Sequence, residues 1–245
     1  KLCSSLTNIN IPFKIQNLES TFRECSNLSS ISLTNNSELN TIGDYTFYKC
    51  AITSITIPSS VTSIGSYAFR ECESLTNLQF QENSKLKTLG EYSFAHTSFS
   101  NIDLPNSIIS IGESAFRACE NLTSIIIPDG IETIESSVFY YCKALKSVEL
   151  PNSLQSIGDH AFGYCDSLNT IDLPNSLTFI DYQAFEKCAT LIAITIPKSV
   201  TQMSNFVFTD CTALESVNFE NGSLLETLGN AVFSDCKILA KINFE

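Results

Sequence analysis

The sequence predicts an α/β solenoid. Each short coil adds one strand to a parallel concave β-sheet and one short helical turn to the convex side. Three observations carry that prediction. The ten cysteines recur at spacings of 22, 25, 22, 47, 23, 23, 23, 23 and 25 residues. The apolar residues between them return at the same offsets in period after period. Hydrophobic residues make up 43% of the chain and charged ones 16%, which is enough to build an extensive core.

The spacing of 47 divides into 25 and 22 if Thr97 stands where a cysteine is missing, and Phe94 precedes Thr97 by three as Phe69 precedes Cys72. The chain then holds ten full periods from Cys3 to Cys236 and the opening of an eleventh that ends at Glu245. Residues 1–245 therefore read as a single repeat domain. It starts and stops inside a period, as a piece of a longer chain would.

The period from Cys142 reads CKALKSVELPNSLQSIGDHAFGYC. Leu145, Val148 and Leu150 end in the alternation of a short strand. Pro151 closes it, because proline has no N–H for a ladder. Asn152 and Ser153 suit a turn, after which Leu154 and Ile157 dip back into the core. Gly158 is then expected to open a short helical turn. Its equivalents are Gly43, Gly65, Gly90, Gly112 and Gly229, with Asp181 and Ser204 as other capping residues and Glu135 as the exception. Acids follow at Asp44, Glu91, Glu113 and Asp159, as the positive end of a helix dipole would favour. Ala161, Phe162 and Cys165 then share one buried face. No coil can bury its apolar side alone, so stacking is obligatory. Eleven strands at ~4.8 Å would make a sheet roughly 50 Å long.

This unit resembles the BspA-like, or Treponema-type, leucine-rich repeat, whose hallmark is L-x-x-I-x-I-P followed by I-G-x-x-A-F-x-x-C. The resemblance covers essentially the whole chain. The first period departs most: it keeps Leu6, Ile9, Ile11, Pro12, Phe22 and Cys25 but has Leu18-Glu19 for Ile-Gly, as near a terminal cap. The periods from Cys25, Cys72 and Cys211 are longer and replace the proline with the loops TNNSEL, QENSKL and ENGSLL. The resemblance implies a leucine-rich-repeat horseshoe and a surface-exposed or secreted protein that adheres to host matrix or cell-surface proteins.

Composition narrows the partners. Acids outnumber bases 26 to 14 for a net charge of −12, which disfavours nucleic acid and anionic lipid. No apolar run reaches the ~18–20 residues of a membrane span, and Lys1-Leu2-Cys3 shows no signal-peptide pattern. The partner is expected to be a protein, with no membrane insertion in this segment. Uncapped terminal coils would favour self-association or further repeats. Four N-x-[ST] sequons, at Asn27, Asn35, Asn121 and Asn221, mildly favour a secretory route.

Catalytic, cofactor and metal sites are not expected. Successive cysteines are related by the repeat translation, so their Cβ vectors run parallel and fit a ladder of buried thiols better than disulfides. No Cys-x-x-Cys, phosphate loop or nucleophile elbow occurs. His96 and His160 lie in different coils and read as exposed, ordinary histidines. Most of the phenylalanines are repeat-core residues. Phe13 and Phe99 fall off the pattern, Phe13 as a candidate for exposure.

The better functional candidate is the outward face of the concave sheet. The position after each core isoleucine includes Gln79, Asp103, Ile126, Glu149, Asp172 and Thr195, an acidic centre around one apolar residue. It reads as a groove for a basic or extended protein partner with Ile126 as anchor. The plain alternative for this face is a solvated sheet surface, for which Thr, Asn and Ser suffice. The alternative function is an intracellular structural scaffold that holds partners in a larger assembly, with which reduced thiols are comfortable.

Overall fold

The computed structural model describes residues 3–33 and 37–244 as a β-solenoid whose coils have three walls. The first is the strand wall foreseen from the Ile-x-Ile pattern. Its strands run parallel and in register in three sheets. Asn8–Ile11, Ser30–Leu33, Ser54–Ile57 and Asn77–Phe80 form one. Asn101–Ile102, Ser124–Ile126 and Ser147–Glu149 form the next. Ala193–Ile196, Ser216–Phe219 and Lys241–Phe244 form the last. The sheet is thus interrupted rather than continuous. It breaks between Phe80 and Asn101, and again at Thr170–Leu173, which forms no strand.

A second wall was read only as a dip into the core. It is a pair of parallel sheets of two-residue strands, one from Asn17–Leu18 to Ser110–Ile111 and one from Thr133–Ile134 to Thr227–Leu228. Within each sheet a strand pairs an outward position, a hydroxyl or amide residue everywhere but at Phe179, and an apolar position with the adjacent coil, as in Ser63↔Thr88 and Ile64↔Leu89.

The third wall corrects the expected helical turns, because no helix forms among the described residues. A helix would bond every N–H within its own coil. Here alternate N–H groups turn outward. Tyr48 and Cys50 donate within the coil to Tyr45 and Phe47 at 3.3 and 3.0 Å. Tyr45, Phe47 and Lys49 donate to Ser66, Ala68 and Arg70 of the next coil at 3.0, 2.8 and 3.0 Å. That geometry needs left-handed backbone twice per coil, as at Tyr45 (φ 54°) and Lys49 (φ 58°), Ser114 (55°) and Ala118 (54°), or His160 (51°) and Tyr164 (58°). Each such non-glycine residue costs roughly 1–2 kcal/mol. The inter-coil bonds, at about 0.5–1.5 kcal/mol each net, and the burial they permit offset it.

The glycine before this wall is therefore not a helix cap. A Cβ at Gly65, Gly90, Gly112 or Gly229 would lie 2.4–2.7 Å from the preceding coil's backbone. At those four coils only hydrogen fits, although Asp181 and Ser204 make the same bond to the preceding coil from the equivalent position. The acids that follow meet no helix dipole either. Asp44 instead accepts from the Ser66 N–H at 2.7 Å.

The core inside the three walls is a ladder. Phe22, Phe47, Phe69, Phe94, Phe116, Phe139, Phe162, Phe185, Phe208 and Phe233 stack coil on coil with centroids 5.1–5.8 Å apart. The cysteines stand beside them as free thiols, buried from Cys25 to Cys211, with Cys3 exposed and Cys236 half-buried. From Cys50 onward each Sγ donates to a phenylalanine carbonyl of the preceding coil, as Cys72 to Phe47 at 3.0 Å and Cys211 to Phe185 at 3.1 Å. Thr97 fills its rung by donating to Phe94 O at 2.8 Å and touching Cys119 Sγ at 3.3 Å. Phe99 is buried edge-on against Phe94 and Phe116, while Phe13 is exposed.

Candidate protein-binding surfaces

Strand alternation sends the core isoleucines inward and their neighbours out. All six residues picked out from the sequence are exposed: Gln79, Asp103, Ile126, Glu149, Asp172 and Thr195. Ile126 is 60% exposed, unusual for an isoleucine inside a sheet. It lies in register with Glu149. Thr195 pairs with Asn218, and Gln79 with Thr56.

The sheet breaks separate the rest. Gln79 and Asp103 lie on opposite sides of the first break, and Asp103 follows its strand rather than belonging to it. Asp172 sits in Thr170–Leu173, the stretch of this wall that pairs with neither neighbouring coil, where it and Thr195 line a shallow hollow of about 300 Å³ with Glu220. Glu220 is already engaged, accepting from the Lys198 N–H at 3.0 Å. The wall therefore offers an apolar side chain beside one carboxylate, with two further carboxylates at its discontinuities.

The turn wall carries a surface that the sequence reading passed over. All eight tyrosines and all three arginines of the chain fall in the stretch between the glycine position and the cysteine. That bias was visible in the sequence. Tyr45, Tyr67 and Tyr92 stack at 4.8 and 5.1 Å, and the Arg70 guanidinium lies 5.4 and 5.2 Å from the Tyr67 and Tyr92 rings. Arg23 covers Tyr45 at 4.7 Å. A second group stacks Tyr141 on Tyr164 at 4.4 Å, with Arg117 over Tyr140 at 4.5 Å and Lys187 over Tyr164 at 4.6 Å. Burial pushes the Tyr67 and Tyr140 phenols up from their ordinary values.

His160 belongs to that second group and is not exposed, as had been expected. It is half-buried between Tyr140 and Tyr182, with Nδ1 3.3 Å from the Glu186 carboxylate and Nε2 3.6 Å from Asp159. Burial pushes the Asp159 carboxyl up, and His160 opposes that rise. His96 is exposed. Among the described residues no group of three or more histidine, cysteine or acidic side chains is placed to hold a metal ion, and no helix is long and apolar enough to cross a membrane.

The longer loops carry a left-handed residue at one equivalent place, Asn83 (φ 57°) and Gly222 (φ 75°). These are residue types that adopt it readily. Residues 34–36 of the first such loop, and with them the Asn35 sequon, lie outside the described residues. Asn27, Asn121 and Asn221 are exposed.

Comparison with known proteins agrees with the geometry. A leucine-rich repeat protein from Bacteroides ovatus is 26% identical, covering 98% of this chain and 79% of its own, with a TM-score of 0.59. The pneumococcal vaccine antigen PcpA shares the fold at 24% identity over 96% of this chain and 67% of its own, TM-score 0.59. A leucine rich cell surface protein from Faecalibacterium prausnitzii shares it at 21% identity over 98% and 88%, TM-score 0.54. No functionally curated protein matches the chain. The BspA type leucine rich repeat region matches in six copies over residues 1–42, 40–147 and 132–245, so the chain belongs to the BspA-type leucine-rich-repeat family.

Proposed function

We propose that this protein is a non-enzymatic adhesion module, displayed at a cell surface or secreted, that binds a basic, extended segment of a matrix or cell-surface protein along its strand wall. The observation that carries the reading is the exposure of Ile126 in register with Glu149. An isolated apolar side chain next to a carboxylate suits an apolar residue beside a lysine or arginine in an extended partner. Asp103 and Asp172 extend the negative field to either side, and Gln79 and Thr195 provide polar contacts beyond them. Leucine-rich repeats generally serve protein–protein interaction. Surface display rests on the family and on the cell-surface and antigen descriptions of structural relatives.

Saturable binding to immobilised extracellular-matrix proteins is the expected result. Reversing Asp103, Glu149 and Asp172 to lysine together is expected to weaken it by about tenfold or more at low salt, with Ile126→Ala weakening it independently. Undiminished binding by the triple variant, with its circular dichroism unchanged, would remove the strand wall from consideration.

The unoxidised thiol ladder favours a second reading, a scaffold inside the cell, since buried free thiols need no oxidising compartment. Accessibility of the protein to protease on intact cells separates the two.

A further inference from the structure

The second wall has a seam. Between Ser110–Ile111 and Thr133–Ile134 the pairing stops, and the wall's two sheets end there. At the other steps the residue at the glycine position donates one coil back. Gly112 reaches Leu89 O at 2.8 Å, Gly158 reaches Ile134 O at 2.8 Å and Asp181 reaches Ile157 O at 2.9 Å. Glu135 makes no such bond to Ile111. Likewise Lys87 O accepts from Ile109 and Ser110, and Glu132 O accepts from Gln155 and Ser156, whereas Ile109 O accepts from neither Glu132 nor Thr133.

Two departures from the repeat meet in this coil. Glu135 puts a long side chain at the position that glycine takes in most coils. Gly130 replaces a serine whose hydroxyl clamps adjacent coils elsewhere: Ser107 to Leu86 O, Ser153 to Ile131 O and Ser199 to Val200's neighbouring coil at Leu177 O, each at 2.7 Å. The coils of Asp181 and Ser204 also lack the glycine, but they keep Ser176 and Ser199 and stay paired. The seam needs both losses.

What opens is a hollow of about 300 Å³ lined by Ile109, Ser110, Gly130, Glu132, Thr133 and Glu135. Its edges present main-chain carbonyls and N–H groups that pair with nothing on the facing coil. Ile109 is 59% exposed. The exposed carboxylates of Glu132 and Glu135 line it, no basic side chain does, and the exposed Asp129 adjoins Gly130 in the chain. An unpaired strand edge recruits an extended chain, and the local charge selects its side chains.

We infer that this seam is a second docking site, separate from the strand wall, for an extended basic polypeptide segment. The segment pairs its main chain with the free edge at Ile109–Ile111 or Thr133–Glu135, sets an apolar side chain on Ile109 and places a lysine or arginine between Glu132 and Glu135.

The test uses a capped, fluorescent peptide of alternating lysine and valine, with a glutamate–valine peptide as its counterpart. The lysine peptide is expected to bind saturably and to slow amide exchange at Thr133 and Glu135; the glutamate peptide is expected not to bind. The variant Gly130→Ser with Glu135→Gly restores the repeat and closes the seam without threatening the fold, and is expected to lose at least about tenfold in affinity. Glu132→Gln, which leaves the seam open, is expected to weaken binding less. Equal affinity in the closed variant overturns the inference, as does equal binding of both peptides or no saturable binding. Binding that survives seam closure but is lost on reversing Asp103, Glu149 and Asp172 would place the peptide on the strand wall and overturn it too.

Discussion

At the residue scale the cysteines show how one position serves a whole stack. From Cys50 onward each sulfur donates to a carbonyl one coil back and takes the small apolar volume beside a phenylalanine. Burial pushes the Cys119 thiol up to about 11, and Cys50 and Cys236 to about 12, from an ordinary value of 9.0. The folded chain therefore keeps protons that the unfolded chain releases. Stability from this source is complete below pH 9.0 and is lost as pH rises through the folded values. The melting temperature is expected to hold steady near neutrality and fall steeply above pH 9, and Cys119→Thr, which copies Thr97, is expected to make that fall shallower. Calorimetry across the alkaline range checks both. The thiol ladder was legible in the sequence because spacing alone reports it. The left-handed residues were not, since serine, glutamate, tyrosine, lysine, histidine and alanine all occupy those positions and none signals a positive φ.

At the scale of the element, each wall is held by what it gives to the next coil. The strand wall was readable because β-branched alternation and a closing proline are local signals. The second wall is two residues per coil, too short for any periodicity to show. The turn wall looked helical because Ala-Phe-x-x-Cys has helical spacing. A turn with alternate N–H groups aimed outward places the same three side chains inward, so the side-chain pattern could not distinguish the two. Gly90 tests the corrected reason for the glycine. A Cβ there would lie 2.4 Å from Ser66 N. Gly90→Ala is expected to cost about 1–3 kcal/mol by overpacking in urea unfolding, where a mere cap would lose about 1 kcal/mol or less.

Across the whole molecule the packing is almost entirely between adjacent coils, so stability is a sum of nearest-neighbour interfaces. Phe139, in the middle of the ring ladder and fully buried against Phe116 and Phe162, is the point at which to cut it. Phe139→Ala is expected to cost about 3–5 kcal/mol. It is also expected to split one thermal transition into two, as the stacks on either side lose their coupling; a single sharp transition at lower temperature would contradict that.

By itself the sequence determined that this chain is a solenoid, where each coil begins, which residues form its spine and which alternate outward on the strand wall. These follow from spacing and from the two-residue alternation of a strand, both properties of the chain alone. Only the tertiary structure decided that the turn wall is a bonded ladder rather than a row of helical turns. The same holds for the breaks in the strand wall beside Asp103 and Asp172, and for the seam that Gly130 and Glu135 open together. Each depends on whether two coils can approach to bonding distance, and that is a relation between residues some two dozen positions apart that no local pattern records.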